Sequence, residues 1–154
     1  MNLLNDIEYY GMEILDLFGQ TAFSDKLLLI TVEKGNDFIL DNFSCRKYGW
    51  ANVEAELPVL YVMGLREELI KDEGNCRWQW FKYAIEVYIA GDNTEQLEKK
   101  VNRYARAIDE MLIAKYRDDG MRTAIEYSPV FKYEDSLFKV CSILFQLKVF
   151  QDIT

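Results

Sequence analysis

Two runs of alternation constrain this chain more than anything else in it. Across residues 77–90, Tyr83, Ile85, Val87 and Ile89 alternate with Lys82, Ala84, Glu86 and Tyr88, and across residues 137–150, Cys141, Ile143, Phe145, Leu147 and Val149 form a second period-two series. A repeat of two puts the apolar set on one face of a pleated strand. At roughly 3.3 Å per residue each run reaches about 45 Å, longer than a small core needs. The fold is therefore built round two long strands whose ends project.

A helix separates them. Gly91-Asp92-Asn93-Thr94 turns the chain, Thr94 is the expected cap, and Glu95 and Glu98 fall in the first turn. Leu97, Val101, Tyr104, Ala105, Ile108, Met111 and Leu112 share one stripe, while Glu98, Lys99, Asn102, Arg103, Arg106, Asp109 and Glu110 occupy the rest. A further strand is expected over residues 57–63, with Pro58 near its start, where a missing N–H is tolerated, and Gly64 closing it. Another alternates through Met121, Thr123, Ile125 and Tyr127 and stops at Ser128-Pro129. Residues 66–75 carry Glu67, Glu68, Asp72 and Glu73 and end on the turn pair Gly74-Asn75, so they read as an exposed acidic loop between two strands.

Toward the N-terminus, Leu3, Leu4, Ile7, Met12, Ile14, Leu15 and Phe18 lie mostly at helical spacings before Gly19. Ser24 is the expected cap of a short helix over residues 25–34; its Leu27–Val32 run would also suit a buried strand, and we assign helix. Residues 38–50 read as an irregular extended segment packing across the sheet. The expected fold is α+β in a single domain spanning residues 1–154. In it an antiparallel sheet with a ββαββ core (residues 55–151) carries one long amphipathic helix, and residues 1–50 add the N-terminal helices. Two sheets sharing a core are the alternative.

Composition bounds the function classes. With 50% hydrophobic and 29% charged residues and two prolines, 154 residues are enough for an ordered core without metal or disulfide. No apolar run approaches the roughly 20 residues that span a bilayer, and the first residues lack signal-peptide features, so cytoplasmic residence and no membrane partner are expected. Cys45, Cys76 and Cys141 show no CxxC spacing and read as reduced thiols. The formal charge of −8 argues against gripping nucleic-acid phosphates. The absence of histidine removes Ser-His and Cys-His dyads and the usual zinc sites.

The remaining chemical candidates are better explained without catalysis. Asp92 and Asp118-Asp119 could offer carboxylates to magnesium or calcium, but all sit at glycine-marked turns that favour aspartate. Gly91 is the only glycine in the turn that leads into the main helix, so the closely spaced glycines of a phosphate-binding loop are missing, and Ser44, Ser128, Ser136 and Ser142 lie in no GxSxG elbow. Trp78, Trp80, Phe81 and Tyr83 resemble a base-stacking platform, yet strands enrich aromatics and the chain is acidic, which favours sheet core plus interface. Glu67-Glu68 and Asp72-Glu73 read as a solvated charge run before they read as paired acid catalysts. The expectation is a protein that is not an enzyme and takes no cofactor.

The stretch from Tyr83 to Gly91, the helix that follows over residues 95–112, and Tyr127-Ser128-Pro129-Val130-Phe131 together resemble the tail-terminator, tail-completion and neck proteins of tailed bacteriophages. Residues 56–62 look like their first strand, so the resemblance covers roughly the C-terminal two thirds, in layout and not by a diagnostic motif. It implies a structural virion subunit that forms a ring, often a hexamer, capping the tail tube and joining it to the head. Its implied partners are other copies of itself, the tail-tube protein and the head-connector protein; DNA passes without specific binding. It implies no catalytic residues, and a location in the host cytoplasm during assembly and then in the virion. Glu67, Glu68, Asp72 and Glu73 are the candidate interface or lumen loop. A small cellular adaptor or ligand-binding α+β domain without catalysis is the competing class.

Overall fold

The computed structural model describes residues 5–49 and 57–152. Leu3 and Leu4 of the expected first helix, and Trp50 and Glu56, lie outside the described residues. The elements are α1 (Ile7–Leu17), α2 (Thr21–Glu33), β1 (Cys45–Tyr48), β2 (Val59–Glu73), β3 (Cys76–Gly91), α3 (Thr94–Lys115), β4 (Gly120–Tyr127), β5 (Phe131–Tyr133) and β6 (Ser136–Asp152). The six strands form one mixed sheet in the order β1-β2-β3-β6-β4, with β5 paired to the start of β6. The expected sheet was wholly antiparallel. The difference is β1, which runs parallel to β2 from Cys45↔Val59 to Tyr48↔Val62. Four residues inside a segment of scattered aromatics carry no alternation from which to read a strand or its direction.

The two long alternating runs form the centre. β3 and β6 pair without a break from Cys76↔Asp152 to Gly91↔Leu137. Their register sets Val62, Ile85, Ile143 and Ile125 in one row across four strands. The helices cover that face: Leu97, Val101, Ile108 and Leu112 of α3, Phe23, Leu27 and Ile30 of α2, and Ile14 and Leu15 of α1 join Phe81, Tyr83, Ile85, Val87, Cys141, Ile143, Phe145 and Leu147 in one buried cluster.

The helix starts differ from expectation. α3 is capped by Asn93, whose side chain accepts the Gln96 N–H at 2.8 Å, and not by Thr94. α2 begins four residues early, after Gln20, so Ser24 lies inside it and its hydroxyl bonds Asn42 Oδ1 at 3.0 Å. The 27–32 run is helical because Phe23, Leu27, Ile30 and Thr31, at spacings of four and three, bury one side. Two glycines permit close packing: a Cβ on Gly11 would collide with the Tyr48 ring, and one on Gly120 with the Phe145 ring.

Two buried cations tie the layers together. Arg103, expected on the polar side of its helix, is buried and donates to both carboxylate oxygens of Asp37 at 2.7 and 2.9 Å, with its guanidinium 4.2 Å from the Phe38 ring centre. Lys139 reaches Glu98 Oε1 at 3.0 Å and the Ser128 carbonyl at 2.6 Å, joining β6 to α3 and to the chain beyond β4. Each pairing satisfies a charge that would be costly to bury alone.

Truncating Phe145 should cost about 3–5 kcal/mol in denaturant unfolding, because the ring is buried against Gly120 and Tyr116; a loss below about 1 kcal/mol would show that it carries no core weight. Hydrogen bonds from Arg103 hold the Asp37 carboxyl down to about 2, below the unfolded value of about 3.9. The contribution is therefore full above that unfolded value and is lost as pH falls through the folded one. The wild-type melting advantage over Asp37→Asn should shrink between about pH 4 and about pH 2, and an advantage independent of pH would contradict this pairing.

Candidate functional site

Residues 66–73, expected as an acidic loop, are strand. β2 runs on past Gly64 to Glu73 and pairs with β3 through Glu73↔Cys76, turning at Gly74-Asn75 with Gly74 at φ +59°. Two register shifts, at Leu65 and Ile70, interrupt the pairing. Each inserts a residue and inverts the in-out order, so this half of β2 shows no period of two. Its Glu, Asp and Lys residues are also poor strand formers.

The result is an arm. β1 pairs with β2 only as far as Val62, and β4 pairs with β6 only from Leu147 toward its start. Beyond those points the sheet is three strands wide, with β3 between β2 and β6. The outer edge of β2 over residues 64–73 has no strand partner among the described residues. Leu65, Leu69 and Ile70 are exposed along it. α1 lies along the arm: Tyr10 is 5.8 Å from the Phe81 ring at its base, and near its outer end Gln151, paired with Arg77, donates to the carbonyl of Asn5, which precedes α1, at 2.6 Å.

The four acids are held on the arm, and most are neutralised there. Glu68 bonds Lys82 at 3.0 Å and also Arg66, and Lys82 and Arg66 hold its carboxyl below the usual range. Asp72 pairs with Arg77 at 3.3 Å and Glu73 with Lys71 at 2.7 Å. Only Glu67 of the four has no ion pair among the described residues. Three of the four acids thus meet four bases, and the charges expected in an exposed acidic loop are largely paired along the strands. The acid excess lies elsewhere: Asp6, Glu8, Glu13 and Asp16 all precede the first basic residue, Lys26, and line a groove of about 480 Å³ with Tyr9 and Met12 on the outside of α1.

A second groove, of about 440 Å³, opens where the arm meets α1 and the end of α3. Its walls include Tyr10, Trp78, Lys115, Lys148 and Phe150. Trp78 packs 4.7 Å from Phe150, and the Lys148 ammonium lies 5.0 Å from the Trp78 ring centre. The expected aromatic platform is therefore divided: Phe81 and Tyr83 are core, whereas Trp78 belongs to this groove. The groove escaped sequence reading because its walls come from four elements far apart in the chain.

The shifted titratable groups are held in structural contacts. Burial pushes the phenols of Tyr83, Tyr104 and Tyr116 up, and they donate to the Ile7 carbonyl (2.8 Å), the Asp41 carbonyl and Glu13 (3.1 Å). Burial likewise pushes the Cys141 thiol up to about 12 and raises Glu86. Donors fixed in this way hold strand, helix and loop together. Asp92 and Asp118-Asp119 bring no convergent set: among the described residues, no three or more Cys, Asp or Glu side chains come together as a metal site would require. No helix among the described residues is long and apolar enough to cross a membrane.

No protein-family model matches this chain, and no curated protein matches it as a relative.

Neutralising Glu67, Glu68, Asp72 and Glu73 together should leave the melting temperature nearly unchanged, because these pairs are exposed and screened. A fall as large as that from Phe145→Ala, in the same calorimetric comparison, would show that the pairs are part of the cooperative core.

Proposed function

We propose that this chain is a structural subunit of a tailed phage or prophage virion, a tail-terminator or neck protein that forms a ring, caps the tail tube and joins it to the head. The observation that carries the proposal is the three-stranded arm. It extends the sheet beyond β1 and β4 and presents a strand edge without a strand partner among the described residues, with exposed Leu65, Leu69 and Ile70 among charges. An exposed edge of this length is a hazard for a protein that remains alone, and here bulges and ion pairs keep it soluble until a partner covers it. The order β2-β3-α3-β4-β6, a ββαββ layout with β5 as an added short strand, supports the same reading, as does the resemblance of residues 83–91 and 127–131.

In this role the chain works by contact and has no catalytic step, cofactor or membrane partner. Its partners are further copies of itself, the tail-tube protein and the head connector. DNA passes through the ring, and a chain of net charge −8 gives phosphates little to adhere to. Assembly takes place in the host cytoplasm and the finished subunit resides in the virion. The groove lined by Trp78, Phe150, Lys115 and Lys148 favours the second reading, a ligand-binding or adaptor domain without catalysis, because it joins an apolar floor to a charged rim.

Mixed with its tail-tube protein, the chain should form closed rings at one end of each tube, seen by electron microscopy and by a ring-sized mass in light scattering. Replacing Leu65, Leu69 and Ile70 by serine should abolish those rings while leaving the melting temperature nearly unchanged. A chain that stays monomeric at high concentration, alone and with tubes, defeats the ring reading.

A further inference from the structure

α2 is apolar on two sides. Its inner side, Phe23, Leu27 and Ile30, is buried, yet Leu28, Leu29 and Val32 on the outer side are 62%, 63% and 55% exposed. Thr21, Asp25, Leu28 and Val32 are spaced four, three and four residues apart, the spacing of a helix-pairing seam, with Leu29 beside it. A helix of a lone domain normally carries one apolar stripe, which faces the core, so a second apolar group at Leu28, Leu29 and Val32 calls for a cover of its own. Among the described residues, nothing covers this seam. Ordinary surface helices show single exposed aliphatics, whereas contiguous groups mark contact surfaces.

The charges round the seam indicate what covers it. Lys26 and Glu33, toward α3, are used within the chain, pairing with Glu110 at 3.4 Å and Arg106 at 2.9 Å. Asp25 near the start of α2 and Lys34 at its C-cap make no ion pair among the described residues. We propose that the outer face of α2 docks against the same face of a second copy, antiparallel about a two-fold axis. That arrangement sets Leu28 of each copy against the other's Val32, brings the two Leu29 side chains near the axis, and places Asp25 of each copy at the Lys34 end of the other. One surface then supplies both halves of an isologous contact. A parallel pairing would stack like charges. A lipid surface is disfavoured because the face lacks the flanking Lys and Arg clusters that interfacial helices use. The contact does not rest on the phage reading, since a two-fold pair cannot by itself close a ring.

The test is the oligomeric state of the purified chain by sedimentation equilibrium from micromolar to millimolar concentration, in reductant so that Cys45 and Cys76 cannot cross-link. Wild type should show a reversible dimer. Leu28→Glu with Leu29→Glu should be monomeric throughout with an unchanged helical signal, because both side chains are exposed. Asp25→Lys should raise the dissociation constant by about tenfold, two attractive pairs becoming repulsive, and adding Lys34→Asp should restore it. A wild-type chain that stays monomeric, including one that instead binds neutral or anionic vesicles, overturns the proposal. So does a dimer that survives the double glutamate variant, or a charge swap that fails to restore association.

Discussion

Everything in this molecule depends on the unbroken pairing of β3 with β6. The ladder from Cys76↔Asp152 to Gly91↔Leu137 serves two purposes along its length. Over one half it is the floor of the core, where Ile85, Val87, Cys141 and Ile143 lie under the helices. Over the other half it carries the arm, because β2 follows β3 outward after β1 and β4 have ended. The outer half still buries Phe81, Leu147 and Val149 on one face, and beside it the outer half of β2 leaves Leu65, Leu69 and Ile70 exposed.

The electrostatics follow the same division. Inside, Arg103–Asp37 and Lys139–Glu98 use charge to pin helix, loop and strand at fixed points, and three buried tyrosines donate across the same layers. Outside, the arm balances four acids with four bases, which leaves a polar but neutral flank round Leu65, Leu69 and Ile70. Such a surface can be covered by a partner without stranding a large net charge. Four acids with no base among them, half of the net excess of eight, gather at α1.

How much of this was legible in the sequence depends on where alternation survives. The α+β class could be read because β3 and β6 keep a strict period of two, with Phe145, Leu147 and Val149 inward. The outer half of β2 could not, since the extra residues at Leu65 and Ile70 each reverse the pattern. Gly74-Asn75 was legible as a turn but not as the tip of a hairpin, for the same reason. β1 and β5 are too short to show a period. Thr94 and Ser24 misled because neighbouring residues compete as caps, and the geometry of the preceding turn decides among them. Arg103 reads as surface by type, and its burial depends on Asp37, which lies sixty-six positions away. The acidic quartet was legible as a run of charges, but the pairing of Asp72 with Arg77 and of Glu68 with Lys82 required knowing that these bases lie across a hairpin.

Under the function we propose, the arm makes contact with other subunits. Hydrogen–deuterium exchange of the chain, free and mixed with the tail tubes that this proposal names as its partner, tests it most directly. Free chain should show fast exchange over residues 64–73 and slow exchange over residues 83–91, and assembly should slow exchange on the arm while leaving the core strands as they were. Protection confined to elements outside the arm, with residues 64–73 exchanging equally fast in both states, would contradict the account.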